Sequence, residues 1–170
     1  DEQLERENIE ITRRYKEMLQ NTYVTLSDED KKLIRKAFDL AVDAHKDQRR
    51  KTGEPYIYHP IAVAKIVADE IGLGATSISA ALMHDVVEDT EYTLEDIEKL
   101  FGKKIAKIID GLTKIAVLNK QDVSIQSENY KKLLLTLSED VRVILIKIAD
   151  RLHNMRTLES MRAVSYTHLT

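Results

Sequence analysis

Four residues in this 170-residue sequence stand out as candidate ligands for a divalent metal, and three of them have apolar neighbours. They are His59, the adjacent pair His84-Asp85, and Asp150. The pair follows the apolar run Ala80–Met83, and Asp150 follows the largely apolar stretch Ile144–Ala149. Carboxylates are rarely buried unless they are paired or bound to a metal. Two imidazoles and two carboxylates form an N2O2 set that suits Mn²⁺, Fe²⁺ or Zn²⁺ and leaves room for an activated water molecule.

Each of these residues also has an interpretation without a metal. A lone histidine at a helix start, such as His59, is more often a cap or a surface group. Asp150 has Lys147 and Arg151 close in sequence as possible salt-bridge partners. Taken singly, the residues leave these alternatives open.

Two further carboxylates, Glu88 and Asp89, follow the His84-Asp85 pair by about one helical turn. A carboxylate beside a metal-bound water could orient that water or take its proton. The alternative is an acidic pair facing solvent at a helix end, although the helix dipole disfavours negative charge at that end.

Two polar segments are candidates for holding a phosphate-rich ligand. The loop Arg49–Glu54 gathers three cations beside Gly53, which permits close backbone approach, and it ends shortly before His59. Asn154 lies one turn beyond Asp150, and Thr157 lies one turn beyond His153. Basic loops and polar helix faces are usually just solvated, so spacing alone does not decide between the two interpretations.

Helices must position all of these residues. Apolar spacing, capping residues and breakers predict helices over Glu2–Gln20, from Ser27 through Val42, from His59-Pro60 to Gly72, over Thr76–Asp89, from Thr93 to before Gly102, over Lys103–Leu118, from Ser127 onward and over Val141–Leu158. A loop is predicted over Asn119–Gln126. The β-branched residues after Val141 would suit a strand, but the length and spacing favour a buried helix. We expect an all-α bundle.

The composition limits the class of protein. Apolar residues make up 43% and charged residues 32%, which is typical of a globular domain. The net charge of −3 gives no electrostatic reason to expect direct DNA binding. No apolar run exceeds four residues, so we expect no membrane span. The absence of cysteine suits a reducing cytoplasm.

Longer segments around these residues resemble the hydrolase domain of RelA/SpoT homologues, within the HD-domain phosphohydrolases. The segments are Gly53–Pro60, His84–Thr90, Asp110–Lys114 and Lys147–Leu158. The likeness extends over about residues 25–161. It implies an HD-domain helical bundle with a metal site between helices.

The resemblance also implies an activity: guanosine-3′,5′-bis(diphosphate) 3′-pyrophosphohydrolase, which releases pyrophosphate from the alarmone (p)ppGpp of the stringent response and leaves GDP or GTP. It implies a metal, normally Mn²⁺ with other divalent ions possible, held by His59, His84, Asp85 and Asp150. It implies that Glu88 and Asp89 serve the hydrolytic water. It implies nucleotide contacts from Arg50, Lys51, Thr52, Asn154 and Thr157. It is also compatible with a parent chain that carries synthetase and regulatory domains.

Three regions are expected along the chain. Residues 1–24 form an N-terminal helix, residues 25–161 form the hydrolase domain, truncated at its C-terminal end, and residues 162–170 form a non-native tail. The stretch Val164–Leu169 matches an in-frame translation of a transposon-type sequencing-adapter end, and Ala163–Thr170 does not continue the helical pattern. The tail, with His168, is therefore excluded from functional reasoning.

Competing functions come from other classes. One is an HD phosphohydrolase that acts on another nucleotide. A second is a module that binds alarmone without turning it over, and a third is a helical interaction domain with a structural metal. The intact Glu88-Asp89 pair argues against the second, and a ligand set with room for water argues against the third.

Overall fold

The computed structural model describes residues 1–118 and 140–169. The predicted loop over Asn119–Gln126 and the helix predicted from Ser127 lie outside these residues. The helices are α1 (Glu2–Gln20), α2 (Asp28–Ala44), α3 (Tyr58–Lys65), α4 (Ala75–Leu82), α5 (Val86–Asp89), α6 (Leu94–Phe101), α7 (Lys103–Leu118) and α8 (Val141–Leu169). Within the described ranges, β pairing is confined to an isolated bridge between Arg49 and Pro55. The all-α prediction is confirmed.

Side-chain caps begin two of these helices where the sequence predicts them. The Ser27 hydroxyl accepts a hydrogen bond from the Asp30 backbone N–H, and the Asp30 carboxylate accepts one from the Ser27 backbone N–H. Thr93 and Asp96 form the same reciprocal arrangement at the start of α6. Each capping box satisfies backbone donors that a helix start otherwise leaves without a partner.

Helix α3 starts before the His59-Pro60 pair that was predicted to open it. It begins at Tyr58, so Pro60 is its third residue and not its first. Proline is still tolerated there because the first turn of a helix has no intrahelical acceptor for its N–H groups. The helix continues as a π-helical segment, Ile66–Ile71, and ends at Gly72 with φ of 82°, a left-handed conformation that favours glycine.

The prediction of one helix over Thr76–Asp89 is wrong. Helix α4 ends at Leu82, a turn covers residues 83–85, and the short helix α5 follows. The turn closes through hydrogen bonds from the Met83 N–H to the carbonyls of Ser79 and Ala80 and from the Val86 N–H to the Met83 carbonyl. His84 and Asp85 therefore lie in a turn between two helices, not inside one.

Helix α8 is a helix despite its β-branched residues. One face is buried through Val143, Ile146, Ala149 and Asp150. Val143, Ile146 and Ala149 are three residues apart and Asp150 is four after Ile146, which is the spacing of a helix side packed on a core. The helix runs without interruption to Leu169, so the expectation that Ala163–Thr170 does not continue it is wrong for residues 163–169.

The core forms around α4, which contacts α2, α3, α7 and α8. Its residues Ile78, Ala80, Ala81 and Leu82 are fully buried. Helix α1 joins the same core through Tyr15, whose ring stacks on Phe38 of α2 with centroids 4.0 Å apart. In the described part of the chain, no helix is both long enough and apolar enough to span a bilayer.

Candidate metal centre

Three separate parts of the fold bring His59, His84 and Asp150 together. His59 is the second residue of α3, His84 lies in the turn after α4, and Asp150 lies on the buried face of α8. All three are buried, and one ligand atom of each lies within 4.8 Å of the others. The expected site between helices is thus built from a helix start, a turn and a helix side, and not from three helix interiors.

The ring of His84 is oriented by a backbone carbonyl. Its Nδ1 lies 2.7 Å from the Ala81 carbonyl oxygen, which can only accept, so Nδ1 carries the hydrogen. Its Nε2 lies 2.9 Å from Asp85 Oδ2 and 3.3 Å from Asp150 Oδ1. Within the described residues, this buried Nε2 has no partner in hydrogen-bond geometry. A cation that displaces the proton from Nε2 can bind there.

The ring of His59 is oriented by another histidine. Its Nδ1 lies 2.7 Å from Nδ1 of His153, and its Nε2 lies 2.7 Å from Asp150 Oδ1. The Arg50 guanidinium, which can only donate, lies 3.5 Å from the same His153 Nδ1. Because the Asp150 carboxylate can only accept, His59 Nε2 donates to it while no cation is bound. If a cation takes Nε2, the hydrogen of His59 lies on Nδ1, and His153 Nδ1 is in place to accept it.

Asp85 connects this group to a second carboxylate cluster. One of its oxygens, Oδ2, accepts a hydrogen bond from the Tyr56 hydroxyl. Ligand atoms of Asp85, Glu88 and Asp89 lie within 4.8 Å of one another. The Asp89 N–H donates to the Asp85 carbonyl at 2.9 Å, so the predicted one-turn spacing of these two residues holds although α4 is broken.

Opposite charges in the centre offset the cost of burying its ionised side chains. Burial opposes ionisation of Asp85, but the charge of His84 2.9 Å away and the hydrogen bond from Tyr56 outweigh it and lower the pKa of Asp85. Asp150 is likewise held ionised, because the hydrogen bond with His59 and the charges of His84 and Lys147 lower its pKa against burial. Burial disfavours the charged form of His84, yet Asp85 and Asp150 raise its pKa well above the ordinary value. The carboxylates therefore require positive charge between them, which a proton on His84 or a divalent cation supplies.

Burial lowers the pKa of the other two histidines of the centre, His59 and His153. It lowers the pKa of His59 despite the hydrogen bond with Asp150. It also lowers the pKa of His153 to about 4, with help from the charges of His59 and Arg50. A neutral His153 is the form that can accept a hydrogen bond at Nδ1.

The salt bridge considered for Asp150 forms alongside its contacts with His59 and His84. Lys147 Nζ lies 3.0 Å from Asp150 Oδ2, whereas Oδ1 faces the two histidines. Arg151, the other candidate partner, is exposed. One carboxylate oxygen is therefore paired with Lys147 and the other is directed into the centre.

These donors fit a divalent metal. Two imidazole nitrogens and an ionised carboxylate converge in a buried space, and an additional carboxylate, Asp85, adjoins them. Histidines that bind metals usually donate their second ring N–H to a protein acceptor; Ala81 accepts from His84, and His153 Nδ1 lies 2.7 Å from the second ring nitrogen of His59. Among the described residues that could hold an ion, His59, His84 and Asp150 form the buried group.

Only some of the residues expected to contact the nucleotide lie near the metal centre. Arg50 donates to Asn154 Oδ1 at 3.1 Å, so the basic loop and α8 meet beside His153. The Thr157 hydroxyl is half-buried and donates to the His153 carbonyl at 2.9 Å. Lys51 and Thr52 lie at the exposed tip of the loop and not in the cluster.

Two residues of the centre were not predicted as site residues, His153 and Tyr56. His153 lies one turn after Asp150 and could have been proposed from that spacing, but its partner is 94 positions away in sequence. Tyr56 lies 29 positions before Asp85, and no local pattern links the two. Both contacts depend on tertiary packing.

Comparison with known proteins gives consistent similarities. A family model for the HD domain matches residues 37–168. The bifunctional (p)ppGpp synthase/hydrolase SpoT of Escherichia coli is 49% identical over 138 residues, which is 81% of this chain and 20% of that protein. A probable guanosine-3′,5′-bis(diphosphate) 3′-pyrophosphohydrolase of Synechocystis is 48% identical over 130 residues, covering 76% of this chain and 17% of that protein. The chain spans about a fifth of the length of these curated relatives.

A solved structure is also similar. It is described as a metazoan ortholog of SpoT that hydrolyses ppGpp and plays a role in starvation responses. The TM-score is 0.60 at 31% sequence identity, and the match covers 81% of this chain and 74% of that one.

Proposed function

We propose that this chain hydrolyses the 3′-pyrophosphate of guanosine penta- or tetraphosphate, because it belongs to the HD domain family and, within it, to the RelA/SpoT homologues. The observation that carries the proposal is the buried group of His59, His84 and Asp150 with the acidic cluster of Asp85, Glu88 and Asp89 beside it. Such an arrangement offers a cation site and, next to it, acceptors for the proton of a water molecule.

We propose that His59, His84, Asp85 and Asp150 hold the metal and that it is Mn²⁺. Imidazole and carboxylate donors without a thiolate suit a borderline or hard divalent ion. When bound, such an ion polarises a phosphoryl oxygen and lowers the pKa of a water molecule. Lys147 supports the site by holding the second oxygen of Asp150, which keeps the first directed at the histidines.

Glu88 and Asp89 are assigned to the attacking water. Asp89 ends α5, and its backbone carbonyl accepts a hydrogen bond from Gln48 at 2.7 Å, which fixes this end of the helix against the loop after α2. A carboxylate held there accepts the proton as the water oxygen bonds to phosphorus. The bond from phosphorus to the ribose 3′ oxygen breaks, that oxygen takes a proton, and the products are pyrophosphate and GDP or GTP.

Arg50, Asn154 and Thr157 are assigned to the nucleotide side of the site, and Lys51 and Thr52 are assigned to nucleotide contacts from the loop tip. The position of Arg50 supports this assignment, because its guanidinium contacts His153 and Asn154 of α8. A guanidinium can hold phosphate oxygens through two parallel hydrogen bonds. The substrate is a nucleotide of the cytoplasm, where we expect the protein to act, in a longer parent chain with synthetase and regulatory domains.

The test is pyrophosphate release by the purified 170-residue chain from guanosine 3′,5′-bis(diphosphate), with and without added Mn²⁺. We expect release that depends on the metal and exceeds that from GTP or dGTP. Faster cleavage of the other nucleotides would favour an HD phosphohydrolase of different specificity. Tight alarmone binding by calorimetry without any release would favour a binding module instead.

A further inference from the structure

We propose that His153 is a positioning residue for the metal centre: its Nδ1 accepts a hydrogen bond from His59 Nδ1 when a cation takes His59 Nε2, and thereby keeps the Nε2 lone pair available to that cation. This inference rests on the proposed metal site, but it concerns a residue outside the ligand set and outside the nucleotide contacts.

The contact between the two histidines is close and well defined. Their Nδ1 atoms lie 2.7 Å apart, and their rings are stacked with centroids 4.9 Å apart and an angle of 28° between planes. His153 lies on α8 one turn beyond Asp150, so the same helix supplies a carboxylate to one nitrogen of His59 and an acceptor to the other. The ring of His59 is thus held at both nitrogens.

The direction of that hydrogen bond is fixed when a cation takes His59 Nε2. Without a cation, the Asp150 carboxylate can only accept, so His59 Nε2 carries the hydrogen at 2.7 Å from it. A cation at Nε2 would need the lone pair of that nitrogen, so the hydrogen of the neutral ring would then lie on Nδ1, 2.7 Å from His153 Nδ1. The Arg50 guanidinium, which can only donate, lies 3.5 Å from the same His153 atom and favours a lone pair there.

Without the acceptor at position 153, the hydrogen of His59 has no partner at Nδ1 and is favoured on Nε2, where it donates to Asp150. That tautomer has no lone pair for a metal at Nε2. Loss of such outer partners of ligating histidines typically weakens metal binding by about 10–100-fold.

The experiment compares Mn²⁺ binding by four variants with that of the wild-type chain, using isothermal titration calorimetry after chelation and without nucleotide. His153→Leu removes the acceptor. His153→Asn places an amide oxygen near the position of Nδ1, whereas the longer His153→Gln places its amide near the position of Nε2. Met155→Gln alters an exposed side chain two positions along α8 and serves as the control. Circular dichroism of each metal-free variant checks that the helices form.

We expect Leu and Gln at position 153 to raise the Mn²⁺ dissociation constant by about 10–100-fold, whereas Asn restores most of the affinity and the control changes little. Wild-type affinity in His153→Leu would overturn the proposal. So would equal weakening by Asn and Gln, which would assign His153 a packing role; this comparison holds even if the Leu variant does not fold.

These outcomes are separable from the proposed function. A wild-type chain that binds Mn²⁺ but releases no pyrophosphate from the alarmone would contradict the function and leave the role of His153 to the binding data. Conversely, an active wild-type chain whose Mn²⁺ affinity does not change with substitutions at position 153 would contradict the positioning role of His153 and support the proposed function.

Discussion

Asp150 Oδ1 lies 2.7 Å from Nε2 of His59, a residue 91 positions earlier in the chain. The same oxygen lies 3.3 Å from Nε2 of His84, so one carboxylate oxygen joins α8 to α3 and to the turn after α4. These two buried contacts connect the candidate metal site to the packing of the fold.

Asp150→Asn and Asp85→Asn should therefore each lose most of the bound metal, because a neutral amide is a poorer ligand than a carboxylate. Elemental analysis after dialysis against Mn²⁺ measures this directly. Asp39→Asn is a matched control, since Asp39 is exposed on α2 and pairs with Arg35. Full metal content in both site variants would exclude these carboxylates from the ligand set.

Removal of the metal should lower thermal stability, because ligands from three parts of the fold bind only when that fold is formed. Mn²⁺ at about 100 times its dissociation constant stabilises the native state by about 2.7 kcal/mol. For a domain of this size that corresponds to a Tm shift of about 5–10 °C. Differential scanning calorimetry with a chelator and then with excess Mn²⁺ checks this, and an unchanged Tm would contradict a site that bridges these elements.

Arg50→Ala should raise KM for the alarmone with little change in kcat. The loss of one charge-assisted contact costs about 1.5–3 kcal/mol, or roughly 10–100-fold in binding, and the effect should shrink as salt screens the charge. The neighbouring Arg49→Ala is the control, because the Arg49 guanidinium is bound to Glu7 of α1 at 2.7 and 2.8 Å. Steady-state kinetics at two salt concentrations distinguishes them, and equal effects of the two substitutions would point to general surface charge.

Much of the fold could be predicted from sequence because its signals are local. Capping residues such as Ser27 and Thr93 satisfy backbone groups within three positions, and Gly72 ends its helix through its own φ angle. Helix spacing also identified α8 correctly although its β-branched residues suit a strand. Each of these features is decided within a few residues.

The break at His84 could not be predicted in this way. The run from Ala80 to Val87 has no glycine or proline, and its apolar residues are compatible with one continuous helix. The turn at residues 83–85 is held instead by packing, since Met83 and Val86 are fully buried in the core. The pairing of His59 with His153 was equally inaccessible, because it depends on how α3 and α8 pack.

We propose that a metal-loaded centre and separate water-binding carboxylates together cleave the alarmone. The measurement that decides this is pyrophosphate release by the double variant Glu88→Gln with Asp89→Asn, compared with wild type at equal, measured Mn²⁺ content. We expect the variant to bind metal and alarmone normally and to lose about 10²–10⁴-fold in kcat, the usual contribution of a general base. Near-normal turnover, or loss of the metal from the double variant, would contradict the division of roles between these residues.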